Sequence, residues 1–136
     1  MTDWRIVGFL CETTLTDQDN RISLIGIQPG RLRLNSFPTA LGLGAFVRIN
    51  PLPSADTPIK IEILLDDHSL AVIDAASVVA PPDAQNQFGL DSLLVNINRF
   101  IVMLERPAML KMTVSVGGSE PEVVSAQQIE LAETPP

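Results

Sequence analysis

Apolar and polar residues alternate with a period of two along most of this chain, in short runs separated by clusters of Pro, Gly, Asp, Asn and Ser. Successive side chains of a strand point to opposite faces, so this period predicts β-structure, and no segment shows a strong competing helical period. A first strand is predicted over residues 5–13 and a second over 21–28. The polar cluster Thr16, Asp17, Gln18, Asp19, Asn20 between them makes the pair a hairpin. Pro29 and Gly30 break the ladder, and Arg31, Leu32, Arg33, Leu34, Asn35 resume a clean alternation with one wet face. After a Phe37, Pro38 turn and a glycine-containing stretch, Ala45, Phe46, Val47, Arg48, Ile49 form the next strand, ended by Pro51 and Pro53. The loop over 50–58 is expected to be exposed.

The clearest strand follows. Ile59, Ile61, Ile63 and Leu65 share one face, Lys60, Glu62 and Asp66 the other, with Leu64 the exception. Asp66, Asp67, His68 and Ser69 supply turn residues, and residues 70–80 return as a strand, giving a second hairpin. The polar stretch 81–87 is long enough to carry the chain from one sheet to another. Beyond it Val95 and Ile97 are apolar at odd positions, but Phe100, Val102 and Leu104 at even ones. A one-residue slip reverses the buried face, so Asn98 and Arg99 mark a bulge or a break between two short strands, and the break is the favoured reading. Leu110, Met112, Val114 and Val116 then alternate with Lys111, Thr113 and Ser115, and Gly117, Gly118 lead into a last strand over 123–131. About eight strands without helices to cover them must bury their apolar faces against one another, which predicts an antiparallel β-sandwich, with a partly closed β-barrel as the alternative. Residues 1–131 form one domain in this reading, and 132–136 a frayed tail.

The chain has 136 residues, enough for a single core, and that core is aliphatic because only 4% of residues are aromatic, with one Trp and no Tyr. Sixteen acidic residues against nine basic ones give a net charge of −7, a field that repels nucleic acid. Cys11 is the only cysteine, which excludes an internal disulfide and suits a reducing compartment. Its place in an apolar strand makes it a small buried hydrophobe. The apolar run at 6–11 is far shorter than the ~20 residues that span a bilayer. No signal-peptide pattern precedes it. The expectation is a cytoplasmic protein with no membrane partner.

No constellation carries the spacing of a known chemistry, so neither catalytic residues nor a cofactor are assigned, and the chain reads as a non-enzyme. His68, the only histidine, falls in a turn, with Asp66 and Asp67 too close in sequence to orient it easily. Asp56, Asp66, Asp67 and Asp91 lack the alternate spacing of a calcium loop and read as ordinary turn carboxylates. Gly42, Gly44, Gly117 and Gly118 lie between strands, where a phosphate loop would open a helix. Trp4 either staples the first strand onto the core or is an exposed contact. Arg31 and Arg33 project from one face of a short strand, and Arg48 joins them if the strand over 45–50 pairs alongside; these three are the candidate partner surface.

The run Gly8, Phe9, Leu10, Cys11, Glu12, the strand Asn20, Arg21, Ile22, Ser23, Leu24, Ile25, Gly26, Ile27, and the later Phe37, Pro38 together resemble a family of small uncharacterised bacterial β-sandwich proteins. The likeness extends in outline through residues 61–66 to the hairpin at Gly117. Where that family usually opens its penultimate strand with Gly-x-Tyr, this chain has Ala108, Met109, Leu110. The resemblance implies a β-sandwich and no known activity. The expected function is therefore a protein-binding or structural module acting through a sheet face, an edge or end loops, with a protein partner or self-association into a homo-oligomer. The alternative is a small-ligand module, for example for a carbohydrate, with its cleft between the loops 51–58 and 81–91.

Overall fold

The computed structural model describes residues 4–19, 21–27, 30–50, 52–54, 56–74 and 92–132. Among them the period-two pattern produces nine strands: β1 (Arg5–Thr16), β2 (Ile22–Ile27), β3 (Arg31–Leu34), β4 (Thr39–Asn50), β5 (Ile59–Leu65), β6 (His68–Asp74), β7 (Leu93–Leu104), β8 (Ala108–Val116) and β9 (Glu122–Leu131). They form two sheets, one of four strands in the order β2-β1-β4-β7 and one of five in the order β3-β9-β8-β5-β6. The arrangement is the expected β-sandwich and does not close into a barrel. Between the sheets lies an aliphatic core: Leu10, Leu43, Val47 and Ile49 from one side meet Ile61, Ile63, Leu110 and Met112 from the other.

Three hairpins stand where turn chemistry placed them. The β1–β2 turn is held by Asp17, whose carboxylate accepts from the Asp19 and Arg21 N–H groups at 2.8 and 3.0 Å. At the β5–β6 turn Asp66 and Asp67 have φ of 49° and 66°, the two positive values of a tight two-residue hairpin. His68 is already the first residue of β6. Gly117 and Gly118, at φ 67° and 76°, open the β8–β9 connection, a backbone that glycine adopts without steric cost.

Other expectations need correction. All ladders but one are antiparallel; β3 runs parallel to β9, pairing Leu32 with Ile129. The fourth strand is twelve residues long, not five, because its ladder with β7 continues through Gly42 and Gly44. No break separates 98 from 99. Leu43 pairs with Phe100 and Ala45 with Ile97, so β7 carries one extra residue opposite Gly44, and this bulge switches the buried set from Leu93 and Val95 to Val102 and Leu104. In the loop after β4, Pro53 is buried and Leu52 packs on the core. Ala132, assigned to the tail, donates its N–H to the Leu34 carbonyl at 2.7 Å. β6 and β7 do lie in different sheets, although the connection itself, like residues 75–80 and 133–136, falls outside the described residues.

Gly8 decides how closely the sheets approach. It sits on the inner face of β1, where a Cβ would lie 2.5 Å from Val124 Cγ2 and 3.0 Å from Met112 Cε. Val124 is itself the extra residue of a β9 bulge, since Met112 pairs with Ser125 and Thr113 with Val123.

Candidate functional site

The outer faces of the two sheets differ in chemistry. On the five-stranded sheet, Lys60, Glu62, Lys111 and Glu130 alternate with core residues, so charges of both signs face solvent together with the exposed Val72 and Val123. The four-stranded sheet is apolar on both parities. Its register places Val7, Arg48 and Leu94 in one row across β1, β4 and β7, with Phe9, Phe46 and Asn96 in the next. Farther along β7, Ile101 and Met103 project from the same face and are 68% and 66% exposed. Exposed apolar side chains are ordinary when scattered; several on one sheet face are informative.

The charges on this sheet are equally uneven. Its four strands contain one acidic residue, Glu12, which is exposed and lies beside Gly26 of β2, past the point where β1 leaves β4. Their cations are Arg5, Arg48 and Arg99, all exposed. Arg48 donates from Nε to Ser92 Oγ at 3.1 Å. The Arg99 guanidinium lies over Gly42, 2.6 Å from where a Cβ would stand, so a side chain at 42 would displace it.

The predicted arginine surface is not assembled. Arg31 and Arg33 lie on β3 of the five-stranded sheet and both approach Glu130, at 3.9 and 3.8 Å, whereas Arg48 lies on β4 of the other sheet. The condition for joining them, a strand 45–50 alongside 31–35, is not met, because sheet membership is fixed by long-range pairing that local alternation does not encode.

The turn carboxylates are engaged by the protein itself. Asp66 Oδ1 accepts from the Met109 N–H at 2.9 Å and its other oxygen lies 3.9 Å from Arg106. Asp67 accepts from Lys111 Nζ at 2.9 Å, and that hydrogen bond, followed by the ammonium charge, holds its carboxyl below the ordinary value. Asp56 lies at the opposite end of the sandwich from the Asp66–Asp67 turn, and Asp91 is outside the described residues. Among the described residues no cluster of three His, Cys, Asp or Glu is placed to hold a metal. His68 is exposed beside a shallow 190 Å³ depression shared with Glu105 and Arg106. Cys11 is fully buried, and burial pushes its thiol up. It occupies the position where β1 leaves β4, at the pair with Gly44, and takes up β2, at the pair with Ile27. Beyond it β1 approaches β7, and the Asn96 amide donates to the Thr14 hydroxyl at 3.1 Å.

One end of the sandwich holds an open cleft of about 540 Å³, lined by Trp4, Ser54, Asp56, Thr57, Gly117 and Ser119 among others. Trp4 is half-buried and packs against the core, so its indole is both staple and cleft wall. Ser54, Asp56, Thr57 and Pro58 form one rim of this cleft and the β8–β9 connection the other; the loop 81–91, expected as the second rim, lies outside the described residues.

No described helix is long and apolar enough to cross a membrane. The chain matches no family model, no curated protein and no solved structure.

Proposed function

We propose that this protein is a non-enzymatic binding module that holds a protein partner against the outer face of its four-stranded sheet. The observation that carries the reading is the exposure of Val7, Phe9, Leu94, Ile101 and Met103 on one face, while the exposed Val72 and Val123 of the five-stranded sheet stand among charges of both signs. Covering such a face releases water from apolar surface, and the rigid sheet behind it loses little entropy on binding. The experiment compares partner capture by the wild-type protein, an I101S/M103S variant and a V72S control on the other sheet. A stoichiometric partner lost only with I101S/M103S is the expected result; equal capture by all three, or capture of nothing, refutes the assignment.

A second reading, small-ligand binding, is favoured by the Trp4 cleft, whose volume falls within the roughly 300–1,000 Å³ of ligand sites. Trp4 is the only tryptophan, so its emission reports occupancy directly. Saturable quenching by a saccharide panel would support this reading, and flat titrations would remove it.

A further inference from the structure

The charge pattern of the same face identifies the chemistry of its occupant: we infer that it takes an acidic, apolar segment of a partner protein. This inference rests on the binding role proposed above and adds what the partner must carry. Arg5, Arg48 and Arg99 have no carboxylate within 4.0 Å among the described residues, and neither does Lys60 on β5, whereas the other five cations, Arg21, Arg31, Arg33, Arg106 and Lys111, each face one. In a chain of net charge −7 the three arginines that face no described carboxylate thus collect on the sheet whose strands hold a single acid, Glu12. Two of them are set among apolar side chains. Arg48 lies between Val7 and Leu94 in a cross-strand row, and Arg99 lies over Gly42, the partner of Ile101. A planar guanidinium flanked by aliphatic groups recognises a carboxylate that is itself flanked by apolar residues, because the neighbours exclude water and the arginine keeps its charge.

Two other occupants fit less well. A second copy docked by a two-fold axis brings the same arginines face to face, and like charges across an interface are unfavourable. An anionic bilayer meets the field of the whole molecule, which is strongly negative, whereas a short segment is steered by the local charges.

The test uses three labelled synthetic peptides with the same Leu and Phe spacing and with Glu, Gln or Lys at the intervening positions, titrated against the full chain by fluorescence anisotropy. The Glu peptide is expected to bind about tenfold tighter than the Gln peptide, and the Lys peptide more weakly than either. That advantage shrinks as salt rises from about 50 to about 500 mM. In an R48E/R99E variant whose circular dichroism matches wild type, the preference should reverse towards the Lys peptide. Equal binding of Glu and Gln peptides overturns the acidic assignment while leaving the binding role standing, and so does a Glu preference that survives R48E/R99E. Failure of every peptide overturns both. Arginine-dependent sedimentation with phosphatidylglycerol vesicles, or concentration-dependent self-association that competes with the peptides, would replace the proposed occupant with a lipid surface or a second copy.

Discussion

Replacing Gly8 with alanine tests a close contact between the two sheets. The new methyl would stand 2.5 Å from Val124 Cγ2, 3.1 Å from Val124 Cβ and 3.0 Å from Met112 Cε. The Met112 methyl ends a flexible chain and can rotate aside. Val124 cannot yield so cheaply, because its Cβ is tied to the bulged backbone of β9 and any χ1 rotation leaves that contact in place. Overpacking of this kind costs about 1–3 kcal/mol. The smaller unfolded-state entropy of alanine returns about 0.4–1 kcal/mol. The net loss is therefore about 1–2 kcal/mol, a fall in melting temperature of roughly 3–8 °C for a chain of this length. Urea titration of a double-mutant cycle isolates the contact. V124A alone loses about 1 kcal/mol of half-buried packing; it removes the Cγ2 contact and keeps the Cβ one, so in that background G8A should cost about half as much, a coupling of about 1 kcal/mol. If G8A raises the urea midpoint, or costs the same with and without Val124, the sheets do not meet at this point and the packing argument fails.

Two further outcomes follow from the turns and the core. Asp17 is held below its ordinary value first by the Arg21 N–H, and Asp67 first by the Lys111 hydrogen bond, so the native state binds fewer protons than the unfolded one. Their contribution is present above about pH 4 and lost as pH falls through the depressed folded values, so a D17N/D67N variant should show a shallower acid decline in urea midpoint than wild type; an unchanged slope refutes the assignment. Cys11, fully buried with its thiol raised, should resist a disulfide-exchange reagent in the native state and react with one equivalent in urea. Rapid native reaction would mean that β1 is not seated as described.

Legibility followed the range of the physics. β5 and β8 were readable because each has one wet face, and their hairpins because two positive-φ residues or two glycines demand a tight turn. What required long-range pairing was hidden. Nothing local shows that β3 joins β9 in parallel or that Arg48 belongs to the opposite sheet from Arg31. The length of β4 was masked for a different reason: Gly42 and Gly44 have no side chains, so the alternation falls silent while the ladder continues. The β7 phase switch was visible, and a bulge was among its two readings. The break was favoured over it, whereas a glycine on the neighbouring strand lets the bulge sit inside one continuous ladder.

The apolar outer face was also written in the chain, in a form easily mistaken for extra core. The runs Ile6–Cys11 and Phe100–Leu104 are apolar at consecutive positions, not at alternate ones. In a sheet covered on both sides such runs are simply buried, but a two-layer sandwich has only one inner surface, so half of each run must face outward. Leu10, Val102 and Leu104 take the inner positions, and Val7, Phe9, Ile101 and Met103 are left outside. The five-stranded sheet, built from the same kind of strands, sets Lys60, Glu62, Lys111 and Glu130 at outer positions among fewer apolar ones such as Val72 and Val123. Two sheets of one domain share solvent, chain and folding requirements. Since folding requires neither outer face to be apolar, the difference between them points to a demand that folding does not make, and binding is a demand that an apolar face edged with arginines that face no described carboxylate can meet.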